Sequence, residues 1–290
     1  DSFSEAAQVP IEEAWWDVAG RRVEAEGGQP VEVINCGMAG VGTAVEWATY
    51  RTLGRQYAAD VVLLPIYLEN DVVDNSHELQ GEPEFGLFYE LRSGELVPMD
   101  LPATSGRGES VPWRASHLLR LVGRMLYVRA EAAHRIDVGG GYPRDLQIYL
   151  ADAPPAWERG WELTEELVRA LARDVKADGA TLLATVIPGK AQVEPARWQA
   201  LLDAYPPMGE EDWDLDGPRR RMGAVLDDAG VPWLDLAPAL AAAAGEEPLY
   251  FDADIHWTPQ GNRIAGEATA RFVLDSGGGV DNPAPAEETE

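Results

Sequence analysis

Two short segments at opposite ends of this chain hold the residue types that nucleophilic ester chemistry needs. One is Asp1-Ser2-Phe3-Ser4-Glu5, and the other is Asp252-Ala253-Asp254-Ile255-His256-Trp257. A serine hydroxyl attacks a carbonyl only when a base takes its proton and the geometry holds it ready. Histidine changes charge near neutral pH, and a neighbouring carboxylate fixes its tautomer and ring orientation. Four histidines are present, His77, His117, His134 and His256. His117 and His134 fall in or beside an amphipathic stretch and read as surface residues, and His77 lies in a Gly- and Pro-rich segment where it could touch a substrate. His256 alone sits among acids, directly before a Thr-Pro-Gln-Gly helix start. The bland alternatives are an N-cap role for Ser2 and a satisfied structural role for His256.

Two further segments follow apolar runs: Asn35-Cys36-Gly37-Met38-Ala39-Gly40 and Leu68-Glu69-Asn70-Asp71. A glycine lets a substrate approach the backbone, and an asparagine amide can donate to a developing oxyanion. Equally, Gly37, Gly40 and Gly42 can shape a turn, and Asn70 can close an Asx-turn. In this order the four motifs resemble the SGNH (GDSL) hydrolase superfamily over nearly the whole chain, from Asp1 to about Ala270. The resemblance implies a three-layer α/β/α sandwich with a central parallel sheet (flavodoxin-like), an acyl-Ser2 intermediate with His256 as base, and oxyanion donors from the Ser2 N–H, the Gly40 N–H and the Asn70 amide. The sequence departs from the family pattern in three places. No glycine precedes Asp1, Leu68 stands where block III has glycine, and Ala253 stands three residues before the histidine, where the acid is usual. Some branches, including relatives of polysaccharide O-acetyltransferases, resemble the Asp-x-His form. That makes Asp254 the third triad member and Asp252 the reserve.

The function expected on these grounds is a serine esterase or acyl hydrolase cleaving carboxylic esters. One alternative is a glycan O-acetyltransferase using the same triad, and another is an inactive SGNH module that binds carbohydrate. The expected partner is a small-molecule or glycan ester. Trp257, Phe85, Phe88 and Tyr89 either line an acyl pocket or pack ordinarily. No His/Cys/Asp cluster has metal-ligand spacing, and neither a metal nor another cofactor is expected. The Gly-x-Ser-x-Gly elbow of the α/β-hydrolases is absent.

Composition narrows the partners. The 290 residues carry 50 acids against 23 bases, a formal charge of −27, and Lys176 and Lys190 are the sole lysines. Such a surface repels nucleic acid and anionic membranes. No apolar stretch approaches the roughly 20 residues of a membrane helix. Hydrophobic residues make up 46%, with 10 tryptophans, which is the composition of a folded domain rather than a disordered chain. Cys36 is the single cysteine, which excludes an internal disulfide, and its apolar setting predicts a buried, inert thiol. The sequence carries no legible cellular address. The absent initiator Met and glycine point to a chain that starts upstream, with the first strand of the sheet there, and to an unstable or inactive segment without it.

The elements that must position these residues alternate. Apolar runs at Val31–Asn35, Asp60–Leu68, Ala180–Pro188 and Val231–Leu236 read as strands, the longer ones covered on both faces. Helical periodicity runs over Ile11–Glu26, Ala44–Tyr57, Trp113–Ala133, Trp157–Lys176, Arg219–Ala229 and Pro259–Phe272. Strands alternating with helices predict crossover units on a parallel sheet. One domain over 1–274 is expected, with insertions at about 76–112 and 135–155 over the catalytic edge or as plain solvated loops. An acidic disordered tail is expected over 275–290.

Overall fold

The structure, a computed structural model, describes residues 1–80, 87–100, 140–245 and 247–277. In chain order the helices are α1 (Ser2–Glu5), α2 (Trp15–Gly27), α3 (Thr43–Thr52), α4 (Leu68–Asn75), α5 (His77–Gln80), α6 (Pro155–Ala177), α7 (Lys190–Val193), α8 (Pro195–Ala204), α9 (Gly217–Asp228), α10 (Ala237–Ala243) and α11 (Pro259–Asp275). The strands are β1 (Val61–Tyr67), β2 (Tyr89–Arg92), β3 (Glu95–Pro98), β4 (Thr181–Ile187) and β5 (Trp233–Asp235).

β1, β4 and β5 form a parallel sheet in that spatial order. The register runs from Val61 opposite Thr181 to Tyr67 opposite Ile187, and from Ala184 opposite Trp233 to Val186 opposite Asp235. Successive side chains of a strand face opposite sides, and both sides here are apolar. Leu64, Ile66, Leu182, Ala184 and Val186 pack with Trp157, Trp161, Val168 and Leu171 of α6 and with Met222 and Leu226 of α9. Tyr67, Ile187 and the half-buried Leu63 and Leu234 pack on the other face with Leu240 of α10 and Ala265 of α11. The result is the expected α/β sandwich, a parallel sheet between helical layers. Burial on both faces explains why these strands read as continuous apolar runs.

Several sequence expectations are corrected. Val31–Asn35 forms no strand: it makes no ladder bonds, and Val33 and Ile34 are 41% and 39% exposed. Among the described residues no neighbouring strand offers it a ladder, and the Asn35 amide bonds the Ser4 carbonyl at 2.7 Å instead. Cys36, in the same stretch, is exposed rather than buried. The helix foreseen over Ala44–Tyr57 stops at Thr52 and gives way to a 3₁₀ turn over Gly54–Tyr57. Within the first proposed insertion, β2 and β3 form an antiparallel hairpin closed by Ser93-Gly94, both at positive φ (53° and 83°). Two left-handed central residues are what a tight two-residue hairpin loop requires, so this Ser-Gly pair was a readable signal. The expected helix over Trp113–Ala133 and most of the expected tail lie outside the described residues.

α2 and α11 pack side by side and bring the two ends of the chain together. Ala19, Val23 and Ala270 form their buried seam, with Val31, Val273 and Leu274 beside it. A Cβ at Gly266 of α11 would lie 2.6 Å from the Trp15 carbonyl oxygen and 2.8 Å from Val18 Cβ. That approach is possible only without a side chain. Gly266→Val is therefore expected to push the helices apart and destabilise the fold by about 1–3 kcal/mol, the usual cost of overpacking. Thermal unfolding of the variant against the parent measures it.

Candidate active site

Ser2 opens the one-turn helix α1. Asp1 caps it, Oδ1 accepting from the Ser4 N–H at 3.1 Å and from the Ser4 hydroxyl at 3.3 Å. The turn ends at Ala6 in the left-handed region (φ 51°), whose N–H donates to the Ser2 carbonyl. A single helical turn is not stable alone, so its remaining carbonyls must be held from outside. Trp15 Nε1 donates to the Phe3 carbonyl at 3.1 Å, and Trp16 Nε1 and Asn35 Nδ2 donate to the Ser4 carbonyl at 2.9 and 2.7 Å. Gly37 presses on the same turn, where an added Cβ would meet Ser4 at 2.5 Å.

His256 is presented by a closed loop. Tyr250 and Trp257 form an antiparallel bridge, the Phe251 N–H donates to the His256 carbonyl, and the Thr258 N–H donates to the Leu249 carbonyl, each of these two bonds 3.0 Å long. Thr258 then caps α11 by accepting from the Gly261 N–H. Two bonds tie this loop to the segment after β4: the Tyr250 hydroxyl donates to the Pro188 carbonyl at 3.0 Å, and Lys190 Nζ donates to the Phe251 carbonyl at 2.9 Å. The loop thereby sits over the carboxyl end of the sheet, the edge where open α/β folds place their sites.

There the two ends of the chain meet. His256 Nε2 lies 2.8 Å from Ser2 Oγ, and Nδ1 is in hydrogen-bond contact with Asp254 Oδ1. That same oxygen accepts from the His256 backbone N–H at 3.0 Å. Asp252 is exposed, and Asp254 is the acid on the ring. Partial burial would raise the Asp254 carboxyl, but the bonds from the His256 ring and backbone N–H, with a further bond from Gln8, outweigh it and hold it below its usual range. Beneath the imidazole the Phe3 ring packs at 4.9 Å, and it also touches Trp257 at 4.7 Å and Tyr67 at 4.8 Å.

The two residues expected beside the serine are placed less simply. Gly40 sits in an exposed turn at φ 73° with open space around the position of a Cβ, and its N–H makes no hydrogen bond among the described residues. Asn70 lies in the first turn of α4, its Nδ2 donating to Asp74 Oδ2 at 3.1 Å while its buried Oδ1 has no partner among the described residues. An amide nitrogen carries two hydrogens, so one remains for a ligand. Next to it, Asp71 is buried and accepts from the Tyr67 N–H at 2.8 Å, which fixes the turn from β1 into α4.

Other sequence candidates serve packing. Trp257 is buried against Phe3, Phe88 lies edge-on to His77 at 5.3 Å, and Tyr89 packs on Trp47 at 5.2 Å. Phe85, His117 and His134 lie outside the described residues. Among the described residues no group of three or more His, Cys, Asp or Glu is placed to hold a metal, and no helix is long and apolar enough to cross a membrane. Sequence reasoning missed Trp15, Trp16 and Asn262. Asn262 Oδ1 accepts from the Trp15 N–H at 3.1 Å, and its Nδ2 donates to the Trp257 and Thr258 carbonyls, both at 3.1 Å. An asparagine inside an amphipathic helix, against propensity, was the available signal.

Residues 151–289 match the family model described as the SGNH hydrolase-like domain of the acetyltransferase AlgX. That span contains Asp254 and His256, whereas Ser2, Gly40 and Asn70 precede it. Over that span, a little under half of the chain, the sequence is similar to an SGNH hydrolase-like domain. No curated protein matches its sequence. Among solved structures, one titled "Crystal Structure of TesA" aligns over 95% of this chain and 95% of its own, with 14% identity and a TM-score of 0.49.

Glu69 is a second acid at this sheet edge. The hydroxyls of Tyr67 and Tyr149 both donate to it, the latter at 2.8 Å. Burial pushes its carboxyl up from 4.5, against the two hydroxyls that lower it. A raised native pKa means that the folded state binds more protons than the unfolded one. Stability attributable to Glu69 is therefore present below about pH 4.5 and lost as pH rises through the native value. Glu69→Gln is expected to remove that part of the decline, so that its stability relative to the parent rises from acidic to neutral pH. Urea unfolding of both proteins across that range checks the sign.

Proposed function

We propose that this protein is a serine-dependent acyl-transfer enzyme that cleaves carboxylic esters through an acyl-Ser2 intermediate. The observation that carries the reading is the continuous contact from Ser2 Oγ to His256 Nε2, at 2.8 Å, and from Nδ1 to Asp254. In this mechanism His256 takes the hydroxyl proton as Oγ bonds the ester carbonyl carbon. Asp254 accepts from Nδ1–H, which leaves the Nε2 lone pair facing the serine and stabilises the imidazolium that forms. Negative charge moves to the carbonyl oxygen, with the Ser2 N–H, the Gly40 N–H and the free hydrogen of the Asn70 amide as its donors. His256 then returns the proton to the departing alkoxide as the C–O bond breaks. Water, deprotonated by the same imidazole, attacks the acyl-enzyme and releases the acid.

A fluorophosphonate probe labels only an activated serine, and p-nitrophenyl acetate reports turnover. The parent is expected to be labelled and active, and Ser2→Ala to lose both. Asp254→Asn is expected to lower kcat by about 10⁴-fold through the wrong tautomer, whereas Asp252→Asn leaves it near the parent value. An unlabelled parent, or Ser2→Ala with undiminished turnover, defeats the reading.

The match to a family described as an acetyltransferase favours a second acceptor, a sugar hydroxyl in place of water. Only the deacylation step differs: the sugar oxygen, deprotonated by His256, takes the acetyl group from Ser2. The charge of −27 favours neutral over polyanionic acceptors. Under this reading a neutral oligosaccharide speeds acetyl release from a p-nitrophenyl acetate donor and becomes O-acetylated by mass. A release rate unchanged by the glycan leaves water as the acceptor.

A further inference from the structure

Of the three donors assigned to the oxyanion, Asn70 alone sits on a group that can turn. A side-chain amide carries a donor and an acceptor on one carbon, and the torsion that exchanges them is broad and nearly two-fold. Turned one way, Asn70 offers an N–H to the developing negative charge. Turned the other way, it offers the negative end of its dipole, which opposes that charge.

Asp74, one helical turn further along α4, decides between the two. Its Oδ2 accepts from Asn70 Nδ2 at 3.1 Å, and its Oδ1 accepts from Gln80 Nε2, at the end of α5, at 2.9 Å. An ionised carboxylate only accepts, so it holds the nitrogen of Asn70 and repels the oxygen. We propose that Asp74 is a positioning residue for the oxyanion site, locking the Asn70 amide so that its second hydrogen is left for the substrate oxygen. The proposal rests on the acyl-transfer reading for its catalytic meaning, but the contact it describes does not. The other side of the same amide agrees with it. Asn70 Oδ1 is buried and has no partner among the described residues. A buried acceptor without a donor is unfavourable, whereas a hydrogen bond to a charged group is stronger than one between neutral groups. The orientation of the amide therefore hangs on the Asp74 contact.

The same turn of α4 also seats the loop of the Gly40 donor. Gly42 lies two residues past Gly40, and a Cβ there would stand 3.1 Å from Asp74 Cβ and 2.7 Å from Asn75 Oδ1. Asn75 Oδ1 accepts from the Ala44 N–H at 2.9 Å, and its Nδ2 donates to the Thr164 hydroxyl at 3.0 Å. Nearby acids are engaged elsewhere: Asp71 holds the Tyr67 N–H, Glu69 the hydroxyls of Tyr67 and Tyr149, and Glu5 the Ala39 N–H. The charge of Asp74 itself opposes an oxyanion, and the amide donors on its two oxygens offset part of that opposition. The sign of a charge-removing substitution thus separates orientation from charge.

Two variants test it. Asp74→Asn is nearly isosteric but presents either a donor or an acceptor to Asn70, and Asp74→Ala presents neither. In both, kcat/KM for p-nitrophenyl acetate is expected to fall by about 10- to 100-fold, short of the loss of a whole oxyanion donor. In an Asn70→Ala background the same substitutions are expected to change it by less than about twofold, because the group they orient is gone. A loss of equal size in both backgrounds overturns the proposal, and so does a faster Asp74→Asn. Nitrogen-15 relaxation of the Asn70 side-chain amide, assigned with Asn70→Ala, needs no turnover. Its order parameter is expected at about 0.85 in the parent and below about 0.6 in Asp74→Ala. An amide as rigid in the variant as in the parent overturns the proposal as well. Failure of the fluorophosphonate to label Ser2 would sink the acyl-transfer reading separately, with the relaxation measurement still deciding whether Asp74 holds the amide.

Discussion

The site depends on one long-range constraint: Ser2 and His256 lie 254 residues apart and must come within a hydrogen bond of each other. Three layers of structure enforce this. The seam between α2 and α11 sets the distance between the ends of the chain, with Gly266 allowing the backbones to approach. Asn262 then fixes the relative height of the two halves, because one side chain bonds the start of α2 and the residue after His256. Finally Phe3 fills the space between Tyr67, His256 and Trp257, so that the serine turn and the histidine loop rest on the same ring. Each contact is worth about 1 kcal/mol or less on common scales, but they share partners and therefore act together.

Charge is managed locally, not balanced globally. The surface carries a large acidic excess, yet near the sheet edge most carboxylates have assigned donors. Asp1 holds Ser4, Glu5 holds the Ala39 amide, Asp71 holds the Tyr67 amide and Glu69 is clamped by two tyrosine hydroxyls. Asp1, Glu5 and Asp71 thus hold backbone and Glu69 holds side chains, whereas Asp254 faces the imidazole. Lys190 and Tyr250 bond backbone carbonyls and fasten the histidine loop to the segment after β4. The acids of this edge thus divide between holding the chain in place and orienting the base.

Much of the fold was legible because burial leaves a pattern. β1 and β4 sit between two helical layers, so they had to be apolar along their whole length, and their runs marked them. α6 and α11 showed clear amphipathic periodicity and appear where it placed them. Val31–Asn35 misled for a related reason: apolar composition shows fitness for a ladder, but a strand exists only where a neighbour offers one. The same segment left Cys36 exposed, since a residue's burial belongs to the elements around it. The Ser93-Gly94 turn, by contrast, was local chemistry and could have been read.

The residue types at the site were readable for a chemical reason. A hydroxyl, an imidazole and a carboxylate near Thr-Pro are distinctive wherever they fall, and their order along the chain carried the superfamily resemblance. Proximity was not readable. That Asp254 and not Asp252 meets Nδ1, and that Trp15, Trp16 and Asn35 secure a one-turn helix, are consequences of how α2, α11 and the sheet edge pack. Amino-acid identity sets which reactions a side chain is capable of, through its donors, acceptors and proton affinity. Distance and orientation between side chains hundreds of positions apart come from packing the whole chain at once.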